Sequence, residues 1–412
     1  MAGRASLSFL GQEDISLSGD PQVTYFIERY AGQTQFAQRV DQVIFDEQSV
    51  AFGSENHRIL PRNGDLITNM YMLVQFPQIP NVSVLDSVGT LMFQYVELYI
   101  GSELVERLYG EHIEMMYDLT IPKGKQPGLT FLTGKTLQYQ NVPLGSYYVP
   151  LPFSLFNRGL PLCAFKEDVT LRIVWNPSTF FTSPPTLYNG TFTATLSIEY
   201  TYISEAEIKF IRGNGQAPHG SGQTPQVPQG PSQTEPSGLA SPTPRIFEQV
   251  QRNEFFIPQG VSNVQCSLNF YNPVKELFFV FQQDSARGYD YSNTATASVS
   301  SNTIGTTDLL NKLQLNFNTA DRIQYTVGTP QFLRIIQPLE FHTRVPDRLF
   351  YMYSFSLDPE GDSPSGSVNL SRIKNQILYI SLNPTPTNVN VRVYAISYNF
   401  LEQGKTVFSN FF

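Results

Sequence analysis

Apolar and polar residues alternate over short stretches along most of the chain. Phe192, Ala194, Leu196, Ile198, Tyr200 and Tyr202 are set against Thr193, Thr195, Ser197, Glu199 and Thr201, the period-two mark of a strand with one buried face. Val169, Leu171, Ile173 and Trp175 show it just upstream. Three later sets repeat it: Val264, Cys266, Leu268, Phe270; Leu313, Leu315, Phe317; and Val389, Val391, Val393, Ala395. Turn-forming runs such as Asn176-Pro177-Ser178 and Asn383-Pro384 lie between them. One stretch has a helical period instead. Val105, Leu108, Tyr109, His112 and Met116 recur every three or four residues, predicting a helix over Glu103–Leu119. Many short strands with one or two helices predict two antiparallel β-sandwiches.

The break between them is Gly213–Pro244, whose 32 residues include seven Pro and six Gly among Gln, Ser and Thr. Such a segment cannot bury enough apolar surface to offset the entropy of ordering, so it reads as a linker. As a coil it would span roughly 30 Å, and fully extended about 100 Å. The chain then divides into residues 1–212, 213–244 and 245–412. Each outer part closes on a similar strand, LSIEYTYI and VRVYAISYNF, a weak echo that fits a duplicated β-domain.

Composition narrows the function classes. Aromatics make up 13% of the 412 residues and charged residues only 15%, the opposite of a disordered chain. The net charge of −8 argues against a protein that coats nucleic acid, which needs surplus Lys and Arg. No apolar run reaches the ~18–20 residues of a membrane span. The opening MAGRASLSFLGQED has no apolar core of a cleaved signal.

Catalytic equipment is equally sparse. The four histidines, His57, His112, His219 and His342, include no pair at zinc-helix spacing, so no metal site is expected. His112, within Gly110-Glu111-His112-Ile113-Glu114, lacks a second ligand and reads as a packing or capping residue. Gly213-Asn214-Gly215 lacks the third glycine and the strand–helix setting of a dinucleotide fingerprint, and no phosphate-loop or nucleophile-elbow motif occurs. A carboxylate pair that meets only in space stays open as an alternative. Cys163 and Cys266 sit in strand-like apolar contexts and read as small core residues, a bridge between the halves being the alternative. Sequons occur at Asn81, Asn189 and Asn369. Asn189, in the Pro-rich 176–190 loop, is the best placed for a glycan and Asn81 the second candidate.

Several ordered stretches carry a family resemblance. In the first half they are Asp20-Pro21-Gln22-Val23-Thr24-Tyr25-Phe26, Arg62-Asn63-Gly64-Asp65-Leu66-Ile67, Val96-Glu97-Leu98-Tyr99-Ile100-Gly101 and Tyr148-Val149-Pro150-Leu151-Pro152-Phe153. In the second half they are Asn272-Pro273-Val274-Lys275-Glu276-Leu277, Tyr353-Ser354-Phe355-Ser356-Leu357-Asp358-Pro359, Pro364-Ser365-Gly366-Ser367 with Asn369-Leu370-Ser371-Arg372-Ile373, and Ser397-Tyr398-Asn399. Together the chain resembles the major capsid protein of the nucleocytoplasmic large DNA viruses, the double jelly-roll family of iridoviruses and phycodnaviruses. It departs in having Phe or Ser where relatives often have Trp, and in its long linker.

The resemblance implies an all-β chain of two eight-stranded antiparallel jelly rolls in tandem with few short helices. It implies a structural subunit with no catalysis and no cofactor. Three copies would form a pseudo-hexagonal capsomer tiling the icosahedral shell of a virion assembled in the host cytoplasm. The implied partners are other copies, neighbouring capsomers, minor capsid or penton proteins and inner membrane-associated proteins, without direct contact to nucleic acid. A low-charge, aromatic-rich chain suits such a tile, because aromatics bury much area at small entropic cost. Arg62, near Asp65, and Arg372, beside Asn369, are the structural candidates, their guanidinium groups suited to capping carbonyls or pairing with a carboxylate. A subunit-interface role is the alternative for them. At Asn369 the family pattern implies a turn rather than a glycan. The linker is expected on the inner side of the shell, and the stretches 118–147, 175–192 and 284–309 are expected as outward loops. The competing function is a two-jelly-roll enzyme or lectin acting on glycans. A minor capsid protein with a single jelly roll fits a two-domain chain poorly.

Overall fold

A computed structural model of the chain describes residues 36–45, 50–77, 79–136, 145–212, 245–293, 308–361, 363–385 and 387–401. The expected linker at 213–244 lies outside them. So do residues 294–307 of the third expected loop and 137–144 of the first.

The strands fall into two groups. The first holds β1 (Ala37–Ile44), β2 (Glu55–Ile59), β3 (Leu66–Gln75), β4 (Ser83–Val84), β5 (Phe93–Ile100), β6 (Glu103–Tyr109), β7 (Ser146–Pro150), β8 (Leu160–Pro161), β9 (Val169–Trp175), β10 (Thr182–Ser183) and β11 (Thr193–Tyr202). The second holds β12 (Arg245–Ile257), β13 (Asn263–Ser267), β14 (Pro273–Gln283), β15 (Leu310–Phe317), β16 (Ala320–Ile323), β17 (Tyr351–Ser354), β18 (Val368–Asn369), β19 (Gln376–Leu382) and β20 (Val389–Leu401). Within each group two larger antiparallel sheets form, in the orders β1-β11-β3-β7 with β2-β9-β5-β6, and β12-β20-β14-β17 with β13-β19-β15-β16, while β4 and β10 pair in a small sheet of their own. Strand for strand the second pair of sheets repeats the first, and this arrangement is the jelly roll. The two sequence-similar closing strands occupy equivalent places, β11 and β20. Each pairs with the opening strand of its own group, from Ala37 opposite Tyr202 and from Arg245 opposite Leu401. The chain therefore leaves each sandwich beside the point where it entered.

Alternation behaves as expected where one face is solvated. In β9 Val169, Leu171, Ile173 and Trp175 are buried while Thr170, Arg172 and Val174 are only partly so. In β14 the pattern fails, since Phe278, Phe279, Val280 and Phe281 are all fully buried. Leu277, Phe279 and Phe281 join the interior of the second sandwich. Phe278 and Val280, on the opposite face, join Phe350, Met352, Tyr394 and Ile396 in the core of the first group. The β12-β20-β14-β17 sheet thus has an apolar surface on both sides, and its outer face is covered by the first sandwich.

The helix expected over residues 103–119 is half strand. Glu103–Tyr109 is β6, paired with β5 from Ile100 opposite Glu103 to Tyr95 opposite Tyr109, and the helix α2 runs only over Gly110–Thr120. It follows α1 (Val88–Leu91) in the chain. Val105 and Leu108 are buried in the core of the first group, and their spacing happens to mimic a helical stripe. Gly110 marks the switch. A β-carbon there would collide with the Thr90 and Phe93 carbonyl oxygens, so the close approach of α2 to the preceding segment requires glycine.

Both cysteines are free. Cys266 is a buried residue of β13, as expected. Cys163 is not a strand residue but lies half-exposed in the 3-10 turn Leu162–Ala164.

Candidate functional site at the junction of the two sandwiches

The residues singled out from sequence stand apart from one another. Arg62 donates from Nη1 to the carbonyls of Phe165 at 2.7 Å and Leu162 at 3.4 Å, and from Nη2 to those of Lys166 at 3.2 Å and Glu167. Asp65 accepts from the Ile203 amide at 3.1 Å, where the chain leaves β11. Asn369 caps the turn Leu370–Arg372, its side chain accepting from the Ser371 amide at 3.0 Å. Arg372 is exposed in that turn and makes no hydrogen bond or ion pair among the described residues. Asn81 is an exposed turn residue with a left-handed backbone, and Asn189 is exposed in the loop before β11.

The densest polar constellation lies instead where the two sandwiches meet, and the expected loops supply much of it. α2 carries Glu111, Glu114 and Asp118 at helical steps that face the second sandwich. Asp118 and Lys135, in the stretch expected as an outward loop, are buried. From the second sandwich, the segment leading into β17 brings Arg344 and Arg348. Arg348 Nε lies 2.8 Å from Glu114 Oε1, and its Nη2 lies 2.8 Å from Asp86 Oδ2 and donates to Ser87 Oγ at 2.6 Å. Lys135 Nζ bridges Glu114 at 3.1 Å and Asp118 at 2.9 Å. Asp118 also pairs with Arg344 and accepts from the Asp347 and Arg348 amides at 2.9 and 3.0 Å. Burial on its own would raise the Glu114 carboxyl, but Lys135 and Arg348 hold it at about 2. At Asp86 burial wins over Arg348, and the carboxyl is raised.

A second cluster follows along the same helix. Arg392 of β20 grips Glu111 with two parallel bonds of 2.6 Å, from Nε to Oε2 and from Nη2 to Oε1, the bidentate geometry that guanidinium favours. Tyr394 and Tyr291 donate to the same carboxylate at 2.5 and 2.8 Å. Against the pull of burial, Arg392 and Arg252 keep Glu111 at about 2. Beside it His112 packs edge-on to Phe278 and near Tyr394. Neither of its ring nitrogens has a hydrogen-bond partner. Burial, helped by the nearby Lys275, lowers it to about 3, so it is a neutral core residue at neutral pH.

A third cluster stitches β6 to β12. The Ser154 and Leu155 amides and Ser154 Oγ donate to the buried Glu106 at 2.8, 3.5 and 3.1 Å, and Ser154 Oγ accepts from the Glu248 amide at 2.9 Å. Burial outweighs those bonds and raises Glu106 to about 8. Gln249 Nε2 donates to the Val105 carbonyl at 2.9 Å. Beside the second cluster lies a cleft of about 390 Å³ whose wall includes Tyr109, Glu111, Arg252, Gln282 and Arg392.

Chemically this arrangement is a clasp. Each carboxylate of the first two clusters is already met by cations or donors, and no grouping of three His, Cys, Asp or Glu side chains among the described residues could hold a metal. Buried ion pairs of this kind fix a unique geometry more than they add net stability. Sequence reading passed over Asp86, Glu114, Asp118, Arg344 and Arg348. The available signal was the acidic stripe of GEHIEMMYDLT, charges placed where an apolar helix face was expected.

Comparison with known proteins places the whole chain. Residues 24–208 match the family model described as major capsid protein N-terminus, and residues 241–405 that of the large eukaryotic DNA virus major capsid protein. The chain is 26% identical to the major capsid protein of Pyramimonas orientalis virus, over 97% of this chain and 96% of that one. It is also 26% identical to the major capsid protein of Paramecium bursaria Chlorella virus 1, over 92% and 87%. Among solved structures it is similar to the PBCV-1 virus capsid, with a TM-score of 0.68 at 21% identity over 92% of this chain and 98% of that one. The Faustovirus major capsid protein gives 0.69 at 10% identity, over 98% and 96%.

Proposed function

The chain belongs to the large eukaryotic DNA virus major capsid protein family, a non-enzymatic family of virion structural proteins, and on that premise we propose how it builds a shell. It is a capsid subunit with the double jelly-roll fold, and the finer reading concerns its assembly. Three copies associate into a pseudo-hexagonal capsomer, and capsomers tile an icosahedral shell assembled in the host cytoplasm. Minor capsid proteins and inner membrane-associated proteins are its further partners. The functional units are residues 1–212 and 245–412, joined by the 213–244 segment on the inner side of the shell.

The observation that carries this reading is the repeated strand order combined with the buried clasp. Two like sandwiches held rigidly side by side form a double-width tile, and three such tiles present six like walls around one axis. No helix among the described residues is long and apolar enough to cross a membrane. Native mass measurement tests the oligomer: a species of three times the 46.5 kDa chain is expected, and a monomer at high concentration overturns it. Limited proteolysis of intact particles tests the inner position of 213–244, which fast external cleavage would exclude.

A further inference from the structure

The cleft beside the Glu111–Arg392 pair is built by both sandwiches. Gln94, Asn176 and Phe180 come from the first, and Arg252, Asp284 and Asn390 from the second. It sits at the sandwich end away from the chain's entry and exit. Asn176 and Phe180 follow β9 and precede β11, and the chain leaves the first sandwich at the other end of β11, at Tyr202. Asp284 follows Gln283, which stands opposite Val389 at the start of β20, whereas the chain enters and leaves where Arg245 meets Leu401. A volume of about 390 Å³ at the boundary of two packed units is the size and setting of a small-molecule site.

The charges of the cleft are already answered. Glu111 holds Arg392 through two bonds, Arg252 pairs with Glu254, and Asp284 accepts from the side-chain amides of Asn388 at 3.0 Å and of Asn390. No surplus charge is left to draw in a phosphate or a carboxylate. Hydrogen-bonding capacity does remain. Arg252 Nε is enclosed and has no acceptor among the described residues. Asn176 spends its Nδ2 on the Leu91 carbonyl at 2.8 Å, which leaves its Oδ1 to accept. Gln94 is exposed at a bulge of β5, where the register against β9 shifts between Phe93 and Tyr95, and bulges re-aim side chains beside functional sites. The rings of Tyr109 and Phe180, the latter 46% exposed, set apolar surface among these groups.

Contacts across the junction fix the shape. Arg287 Nη2 donates to the Thr179 and Thr182 carbonyls at 2.6 and 2.8 Å, holding the short helix Ser178–Phe181 to the second sandwich. Gln282 is held between Arg392 at 2.8 Å and the Gly288 carbonyl at 2.7 Å. A wall already ordered costs a ligand little to organise.

We propose that this cleft binds a neutral saccharide. A pyranose ring offers hydroxyls that both donate and accept, together with an apolar face of C–H groups. Uncharged amides, an unspent guanidinium N–H and exposed rings answer that combination. Gln94, Tyr109 and Arg252 also line an adjoining hollow with Tyr95 and Asn253, which gives a second sugar ring a place. The site goes beyond the capsid reading and stands without it. Only its outward placement, as a glycan-binding surface of the shell, rests on the inner position proposed for 213–244.

Saturation-transfer NMR on the full chain tests the site. The neutral probes are glucose, galactose, mannose, N-acetylglucosamine, lactose and cellobiose, with glucose 6-phosphate and N-acetylneuraminic acid as charged ones. At least one neutral probe is expected to bind at millimolar concentration. Phe180→Ala and Gln94→Ala, both at exposed positions outside the clasp, are expected to weaken it about fivefold. Phe131→Ser, at an exposed ring outside the cleft, leaves it unchanged. Urea unfolding checks that each variant keeps the fold, and Gln94→Ala alone carries the test if Phe180→Ala loses it. Absence of binding by every neutral probe overturns the proposal, as does binding of charged probes only, or equal binding by wild type and both variants. Intact particles test the placement. Particles that bind the same probe support the outward position, and particles that do not, while the free chain binds, overturn that position and leave the site standing.

Discussion

Arg348 and Glu114 meet 2.8 Å apart across the junction, one from each sandwich, and both side chains are almost wholly removed from water. Replacing Arg348 by Met keeps much of the volume but leaves Glu114 and Asp86 without their shared cation. Breaking a buried pair by removing one partner costs about 3–5 kcal/mol. Urea unfolding followed at Trp175, the single tryptophan and a core residue of the first sandwich, is expected to show a loss of that order. A loss below about 1 kcal/mol would mean that Lys135, which also meets Glu114, and local relaxation make good the missing guanidinium.

His112 gives the junction an acid-side weakness. Its folded value of about 3 lies below the ordinary 6.5, so the neutral form is favoured by folding. The stability it contributes is complete above pH 6.5 and is lost as pH falls toward 3, at about 1.4 kcal/mol per pH unit. Glu106 acts in the opposite sense: with a folded value of about 8 against 4.5, it gains stability as pH falls between those values. The two offset each other between pH 6.5 and 4.5, which flattens the wild-type profile. Replacing His112 by Met removes one of the two opposing effects. The variant's stability relative to wild type is expected to rise by about 2–3 kcal/mol from pH 6.5 to 4.5. Parallel profiles would sink the assignment.

On the alkaline side the relevant group is His342, whose ring nitrogens each lie 2.8 Å from a carboxylate, Nε2 from Glu276 and Nδ1 from Glu360. Burial alone would lower it, but those two partners raise it to about 9. Its contribution is therefore complete below pH 6.5 and lost as pH rises through 9, on the order of 3 kcal/mol in all. His342→Gln is expected to be less stable than wild type at pH 6 and to close most of that gap by pH 10. Thermal unfolding at the two pH values measures it, and a constant gap would argue against a charged His342.

How much of this could be read from the chain depended on which surfaces were solvated. β9, β11 and β20 each carry a clear run of alternating apolar positions, and the family motifs supplied the jelly-roll order that alternation alone could not. β14 defeats the same reasoning, because Phe278 and Phe279 are buried against different neighbours and the strand loses its polar face. The helix boundary slipped to Glu103 because Val105 and Leu108 imitate a helical stripe while lying in a strand. The clasp was hidden for a further reason. Glu114 and Arg348 are 234 residues apart in the chain, and a charge that is buried only by a distant partner looks like a solvated one. The stretches at 118–136 and 284–293 read as exposed loops for the same reason, although Asp118, Lys135, Tyr289 and Tyr291 are junction residues.

The two arginines chosen from sequence motifs differ in what holds them, and this separates folding from assembly. Arg62 donates to a row of carbonyls between Leu162 and Glu167 and so ties the turn after β8 to the start of β3. Arg372 points from an exposed turn and meets no partner among the described residues. Arg62→Ala strands those carbonyls in a partly solvated place, and a loss of about 1–2 kcal/mol is expected. Arg372→Ala removes nothing from the folded chain, so its unfolding midpoint is expected to stay within about 0.5 kcal/mol of wild type. If Arg372 serves between copies, the same variant lowers trimer yield at unchanged stability. Measuring unfolding and native mass on both variants decides the matter: a destabilised Arg372→Ala would make that residue a fold element, and unchanged stability with full trimer yield would leave it without either role.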